Sequence, residues 1–314
     1  HNDFLSALGV RFDVPMRDES YNRHIRFSGQ DGGLWGEAVQ GLTGMRDPGE
    51  AVRKAQVAGK KVPDIHTWVP RVSERIHWVP TWGDFTLSQQ NSNGFTVSKR
   101  TKPGHGWIGS AEGHRADGLG YIGGSSGGVV FGMRDFWKLN PTQLDIRNAA
   151  TDTAQVTIWM YSPEAPAMDI RFYHDSMGMD VEGPLPDVMI EGIETSVPDH
   201  PYAKQVDAMK VTYEDHEPGF GTPKGVARST DIYLWAVGET PSREDYPHLA
   251  EAVSVPAQLV PRPEDMLRAK VFGNMWGLPN RSSANLSKIE DRLEWSIDFY
   301  QKQVEQHHWY GFWN

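Results

Sequence analysis

The feature that most constrains this chain is a change of rhythm in its apolar residues near residue 240. Before that point, apolar runs are short and alternate with clusters of Gly, Pro, Asn and Asp, the punctuation of antiparallel strands. Phe4 to Val14, His24 to Phe27, Phe95 to Ser98 and Val129 to Met133 read as strands. So do Gln143 to Arg147, Val156 to Tyr161, Ala208 to Tyr213 and Asp231 to Val237. Helical segments do not intervene regularly, so the pattern favours a large antiparallel sandwich over a βαβ sheet. Residues 48–63 fit one short helix or a long loop, and residues 176–205, rich in Pro, Gly and acidic side chains, read as a surface excursion.

After residue 240 the period becomes helical. Residues 242–253 and 263–272 read as short helices. Ser287 with Glu290 three residues on reads as a capping box that opens a longer helix. Ile289, Leu293, Ile297, Tyr300 and Val304 then form one apolar stripe, widened by Trp295 and Phe299. A face so broad requires a second helical layer. The chain closes on HHWYGFWN, an aromatic tail where termini are usually polar. The expected organisation is a β-sandwich over 1–240, then a helical linker and the first helix of a truncated helical domain over 241–314.

Composition narrows the function. The 314 residues carry 31 basic and 41 acidic side chains, a formal net charge of −10, which disfavours nonspecific nucleic-acid binding. The absence of cysteine excludes disulfides, zinc thiolate sites and cysteine nucleophiles. No apolar run is long enough to span a membrane as a helix. The start at His1, without Met or signal peptide, suggests a processed or excised product. The 12 tryptophans serve packing or stacking on sugar rings.

The most chemically loaded stretch is residues 98–124, SKRTKPGHGWIGSAEGHRADGLGYIGG, which gathers Lys99, Arg100, Lys102, His105, His114 and Arg115 in an acidic chain. It is either a solvated basic loop or a local pocket for a carboxylated ligand, in which Arg supplies a bidentate fork and His a titratable base. GYIGGSSGGVVFG (120–132) lacks a P-loop ending, and a strand follows where a nucleophile elbow or dinucleotide fingerprint requires a helix. It reads as a hairpin turn. His307 and His308 suit a helix C-terminus or face a cleft with Tyr310. No His or acidic cluster has zinc or EF-hand spacing, so no metal or cofactor is required, although a lone Ca²⁺ site stays open.

Several stretches taken together resemble the central sandwich of the YetA-like and exo-rhamnogalacturonan lyase family of polysaccharide lyases. They are VPMRDESYNRHIRFSG (14–29), WGEAVQGLTGMRDPG (35–49), FTVSKRTKPGHGWIGSAEGHRADGLGYIGG (95–124), GMRDFWKLNPTQLDI (132–146), WMYSPEAPAMDIRFY (159–173) and the terminal HHWYGFWN. The resemblance implies a mainly β super-sandwich followed by the start of an α/α toroid. It also implies a smaller β domain before the sandwich and the rest of the toroid after it, both packing against this chain. The chemistry implied is β-elimination at a uronic acid glycoside in an acidic oligosaccharide or polysaccharide; a secreted or periplasmic setting stays open, without support from cysteine usage. The matching stretches then offer Arg100 and Arg115 for the carboxylate, His105, His114 or His308 as base, Tyr310 as acid, and Trp107, Trp309 and Trp313 as stacking platforms. A non-catalytic carbohydrate-binding or scaffold sandwich is the rival, and a glycoside hydrolase using Glu112 and Asp117 the third reading.

Overall fold

The computed structural model describes residues 4–45, 49–169 and 227–312. They fall into two compact units. In the smaller, drawn from residues 1–8 and 163–229, the described residues contribute one short antiparallel pairing, β1 (Phe4–Leu5) with β12 (Met168–Asp169).

The larger unit is a sandwich with helices. One antiparallel sheet runs in spatial order β2 (Leu8–Pro15), β11 (Thr153–Tyr161), β10 (Thr142–Arg147), β5 (Asp84–Asn91), β6 (Gly94–Arg100) and β7 (Ile108–Gly113). The other runs β13 (Ile232–Val237), β9 (Gly127–Met133), β8 (Leu119–Gly124), β3 (Arg23–Ser28) and β4 (Leu34–Ala38). Apolar side chains from the inner faces, among them Ile25, Phe27, Phe85, Leu87, Phe131 and Ile158, form the main core. Burying side chains of this size stabilises the fold by about 2 kcal/mol each.

The five-stranded sheet is covered on its other face as well. Leu119, Tyr121 and Val130 pack there against Tyr246, Ala250 and Val253 of helix α3 (Asp245–Ser254). Helix α1 (Gly49–Ala58) closes a smaller cluster of Leu42, Val52 and Val62, so the helix alternative for residues 48–63 holds. Short α2 spans Pro70–Ser73 and α4 Pro263–Arg268. Because both faces are covered, every residue of β3 and β8 is buried. Gly120 of β8 is needed by this packing: a Cβ there would lie 2.5 Å from the Phe131 ring.

The Gly-Ser stretch is a hairpin, β8 turning through Ser125 and Ser126 into β9, and the strand–turn–strand context excludes a nucleophile elbow. Strands β4, β5, β7, β8 and the two-residue β12 add to those read from the sequence. Residues 176–205 and 208–213 lie outside the described residues.

The last helix, α5, corrects the capping box. It spans Ala284–His307 with Ser283 as its N-cap, whose side chain accepts from Leu286 N at 3.3 Å. Ser287 sits inside the first turn and donates to Arg281 O, while Glu290 accepts from Asn280 N at 2.8 Å. Ser283 has the extended backbone an N-cap needs; Ser287 is already helical. No residue of α5 is buried, and Ile289, Leu293, Ile297 and Tyr300 are all more than half exposed.

Candidate functional site

Arg100, Arg115 and their neighbours in sequence do not share one pocket. They divide between the two ends of β6, seven residues or roughly 23 Å apart for an extended strand.

At one end, Arg100 closes β6. Its Nε donates to Asp84 Oδ2 at 2.7 Å, and Asp84 also accepts from Asn148 N at 3.1 Å. The Asp84 side chain is 1% exposed. The Arg100 guanidinium lies 4.5 Å from the centre of the Trp107 ring, and Arg147 lies 4.9 Å from the same ring. The Trp107 ring thus contacts two cations. His105 sits in the following turn with Nδ1 2.7 Å from Thr101 Oγ1, on the edge of a recess lined by Pro80, Asp84, Lys102 and Asn148. Arg100 therefore spends its Nε on a buried structural carboxylate, away from the other candidate arginine.

The other end is built from four loops and the end of α5. The β5–β6 turn presents Asn93, and the β7–β8 connection presents His114 and Arg115. The β9–β10 connection presents Trp137, and the C-terminal turn presents His308 and Tyr310. Arg115 binds Glu305 of α5 through both terminal nitrogens, Nη2 to Oε2 at 2.8 Å and Nη1 to Oε1 at 3.4 Å. Its Nε donates to Ser92 O at 3.2 Å. The guanidinium lies 4.0 Å from the Trp137 ring centre and 5.6 Å from that of Tyr310. Tyr310 packs edge-on to Trp137 at 4.8 Å and donates its phenol proton to Glu305 Oε1 at 2.5 Å.

Asn93 links two imidazoles. Its Oδ1 lies 3.1 Å from His114 Nε2, and its Nδ2 lies 3.5 Å from each ring nitrogen of His308. His308 caps α5 with φ 53° and ψ 45°. That left-handed conformation is rare outside Gly and Asn, and it turns the chain back so that Gly311 N reaches Lys138 O at 2.8 Å. The aromatic tail thus packs on the sandwich: Phe312 sits edge-on to Tyr161 at 5.4 Å. Trp309 stays 45% exposed beside His307 and Tyr300. Trp313 lies outside the described residues.

The electrostatics follow from these contacts. Hydrogen bonds from Arg115 and then Tyr310 hold the Glu305 carboxyl below its ordinary pKa. Burial, reinforced by the bond to anionic Glu305, pushes the Tyr310 phenol up to about 12. The cluster at neutral pH is thus a guanidinium, a carboxylate and a protonated phenol flanked by two imidazoles. Such a set can bind a carboxylate, accept a proton and donate one. Among the described residues no group of three or more His, Asp or Glu is placed to hold a metal ion, and no helix is long and apolar enough to cross a membrane. Of the residues not singled out from sequence, Asn93 and Glu305 had no signal, whereas Trp137 lay inside a stretch carrying the resemblance, GMRDFWKLNPTQLDI.

Two antiparallel sheets, with a helical C-terminal segment whose end meets the loops at one end of β6, define a β-sandwich protein. Residues 1–184 and 192–251 match the model of the PcRGLX-like protein central beta sandwich domain, and residues 256–314 match that of the PcRGLX-like protein C-terminal alpha/alpha toroid domain. The chain belongs to the PcRGLX-like family, whose rhamnogalacturonan lyase-like character suggests a polysaccharide-related function. It is 30% identical over 317 aligned residues to a protein of Bacillus subtilis (strain 168) named "Uncharacterized protein YetA". The match covers 99% of this chain and 33% of that protein, so the chain spans about a third of its relative's length.

Proposed function

We propose that this chain forms part of the site of a polysaccharide lyase that breaks a rhamnose–uronic acid linkage by β-elimination. The observation that carries the reading is the meeting of Arg115, Tyr310, His114 and His308 at one end of the sandwich. The substrate carboxylate takes the place of Glu305 on the Arg115 fork, so that charge building on the enolate-like intermediate faces a fixed cation. His114 or His308, as neutral imidazole, removes the proton from the carbon next to the carboxylate. The electron pair forms the C=C bond as the C–O bond to the next sugar breaks. Tyr310, protonated at neutral pH, gives its proton to the departing oxygen. Trp309 offers an exposed ring face for a sugar.

The same reading places the substrate among acidic oligosaccharides and polysaccharides, in a secreted or periplasmic setting. The preceding β domain and the rest of the toroid that the family resemblance implies would then complete the walls of the cleft. A hydrolase using Glu112 and Asp117 is less well supported, since the half-buried Asp117 carboxyl is engaged by the backbone of Gly32, accepting from its N–H at 3.1 Å, while Glu112 is exposed on β7.

The test is the product. The chain, alone and within its natural polypeptide, is incubated with rhamnogalacturonan and glucuronate-capped oligosaccharides while ultraviolet absorbance is followed. Elimination yields a conjugated unsaturated uronate and a rising signal. Reducing ends released without that absorbance would move the assignment to hydrolysis, and saturable sugar binding without turnover would move it to a carbohydrate-binding module.

A further inference from the structure

Strand β3 lies inside its sheet, between β8 and β4, and alternation sends Ile25 and Phe27 into the sandwich core and His24 and Arg26 to the opposite face. On that face the two polar side chains are 2% and 3% exposed. With Gly36, Gln56 and Val57 they line a cavity of about 50 Å³ that Arg243, just before α3, also borders. A single water needs about 10–15 Å³ of such space, so the cavity of about 50 Å³ has room for a small ion or a few waters.

Two donors in its lining are left without an acceptor. His24 Nε2 and Arg26 Nη1 are fully enclosed and have no hydrogen-bond partner in the protein. Arg26 Nη2 reaches Val57 O only at the limit, 3.5 Å. The neighbouring polar groups are occupied: Tyr246 Oη donates to Arg26 O, Tyr121 Oη to Gly124 O, and Gln56 Nε2 to the carbonyls of Tyr21 and Gln40. Glu37 also borders the cavity, but both its carboxylate oxygens are engaged by Lys99 Nζ. No carboxylate among the described residues forms an ion pair with Arg26; Glu244 favours its charge only from a distance and Arg243 opposes it.

A guanidinium keeps its charge even when buried. A water molecule would satisfy the free N–H groups but leave the charge uncompensated, and a buried charge without a counter-charge is strongly unfavourable. We propose that this cavity is a binding site for a small monovalent anion of halide size, held by Arg26, His24 and Arg243. The His24 ring is neutral, its pKa lowered to about 4 by burial and by Arg26. In the tautomer carrying the proton on Nε2 it donates to the ion without adding charge. The ion ties the sheet to α1, which supplies Gln56 and Val57, and to the segment that opens α3.

The probe is sodium bromide. Crystals of the chain soaked in bromide show an anomalous peak within contact distance of His24 Nε2 and Arg26 Nη1. In solution, bromide shifts the His24 imidazole ¹⁵N resonance saturably, whereas fluoride at the same ionic strength, more strongly hydrated, does not. Arg243→Gln alters an exposed residue, so the fold persists while bromide affinity falls about tenfold, the scale of one charge-assisted contact. No anomalous peak, an equal response to both halides, or unchanged affinity in Arg243→Gln would each overturn the proposal.

Discussion

The two ends of β6 hold nearly the same chemical parts in different roles. Each has an arginine on an aromatic face with its guanidinium on a carboxylate: Arg100 with Asp84 and Trp107, Arg115 with Glu305 and Trp137. The arginines are equally covered, each with a side chain 20% exposed; the carboxylates are not, at 1% for Asp84 and 54% for Glu305. Asp84 is locked inside the sheet and also accepts from the Asn148 backbone. Glu305 comes from a helix remote in sequence, and a phenol rather than a backbone N–H shares it. A buried carboxylate that completes a network is structure. An exposed one is where, on the proposed function, an incoming anion would enter.

The sharpest way to break this comparison is to remove each carboxylate in turn. Asp84→Ala leaves Arg100 and Asn148 N unpaired beside the core and is expected to cost about 3–5 kcal/mol of unfolding free energy. Glu305→Ala is expected to cost about 1 kcal/mol or less, because the pair is mostly exposed. Urea denaturation of both variants decides it, and equal losses would erase the distinction.

Activity should divide the other way. Arg115→Ala is expected to lower kcat/KM by about 10²-fold or more, the scale for losing a donor to developing negative charge. Arg100→Ala should leave turnover by the folded fraction near the parent value. Tyr310→Phe is expected to cost about 10²–10⁴-fold, the range for a lost general acid. Because the Tyr310 phenol sits near 12, an alkaline fall in rate well below that pH must belong to another group.

A smaller effect concerns pH and stability. Burial raises the Asp117 carboxyl from 3.8 to about 6, against the opposing bond from Gly32 N. The folded state therefore holds this proton more tightly than the unfolded state. The associated stability is complete below about pH 4 and is lost as pH rises through about 6. Asp117→Asn should remove that dependence, read as a flatter profile of unfolding free energy from pH 4 to 7. The smallest effect belongs to the α5 stripe: Leu293→Ser, at a side chain 55% exposed, is expected to shift the unfolding free energy of this chain by about 0.5 kcal/mol or less. A larger shift would show that the stripe is already packed.

Where the sequence was legible, the physics was local. Alternation marked β10, a run of β-branched and aromatic residues marked β11, and a strand following GGSSGG identified the hairpin, because a strand or turn is specified by its own few residues. Strand β8 escaped notice because its glycines and continuous burial carry no alternation. The start of α5 was misplaced by four residues because Ser283 and Ser287 both precede helical sequence, and only the backbone at Ser283 distinguishes them.

The candidate site was legible in kind but not in membership. A basic, Gly-rich stretch was visible as a loaded region, yet nothing local tells that Arg115 lies at the helix end and Arg100 does not. Alternation, turn chemistry and helical period determined by themselves that the chain is a sandwich leading into helices. Only the tertiary structure decided which arginine meets Glu305, Tyr310 and His308. The meeting joins residues about 190 positions apart in the chain, and it depends on how a helix end docks on loops rather than on any preference those residues carry alone.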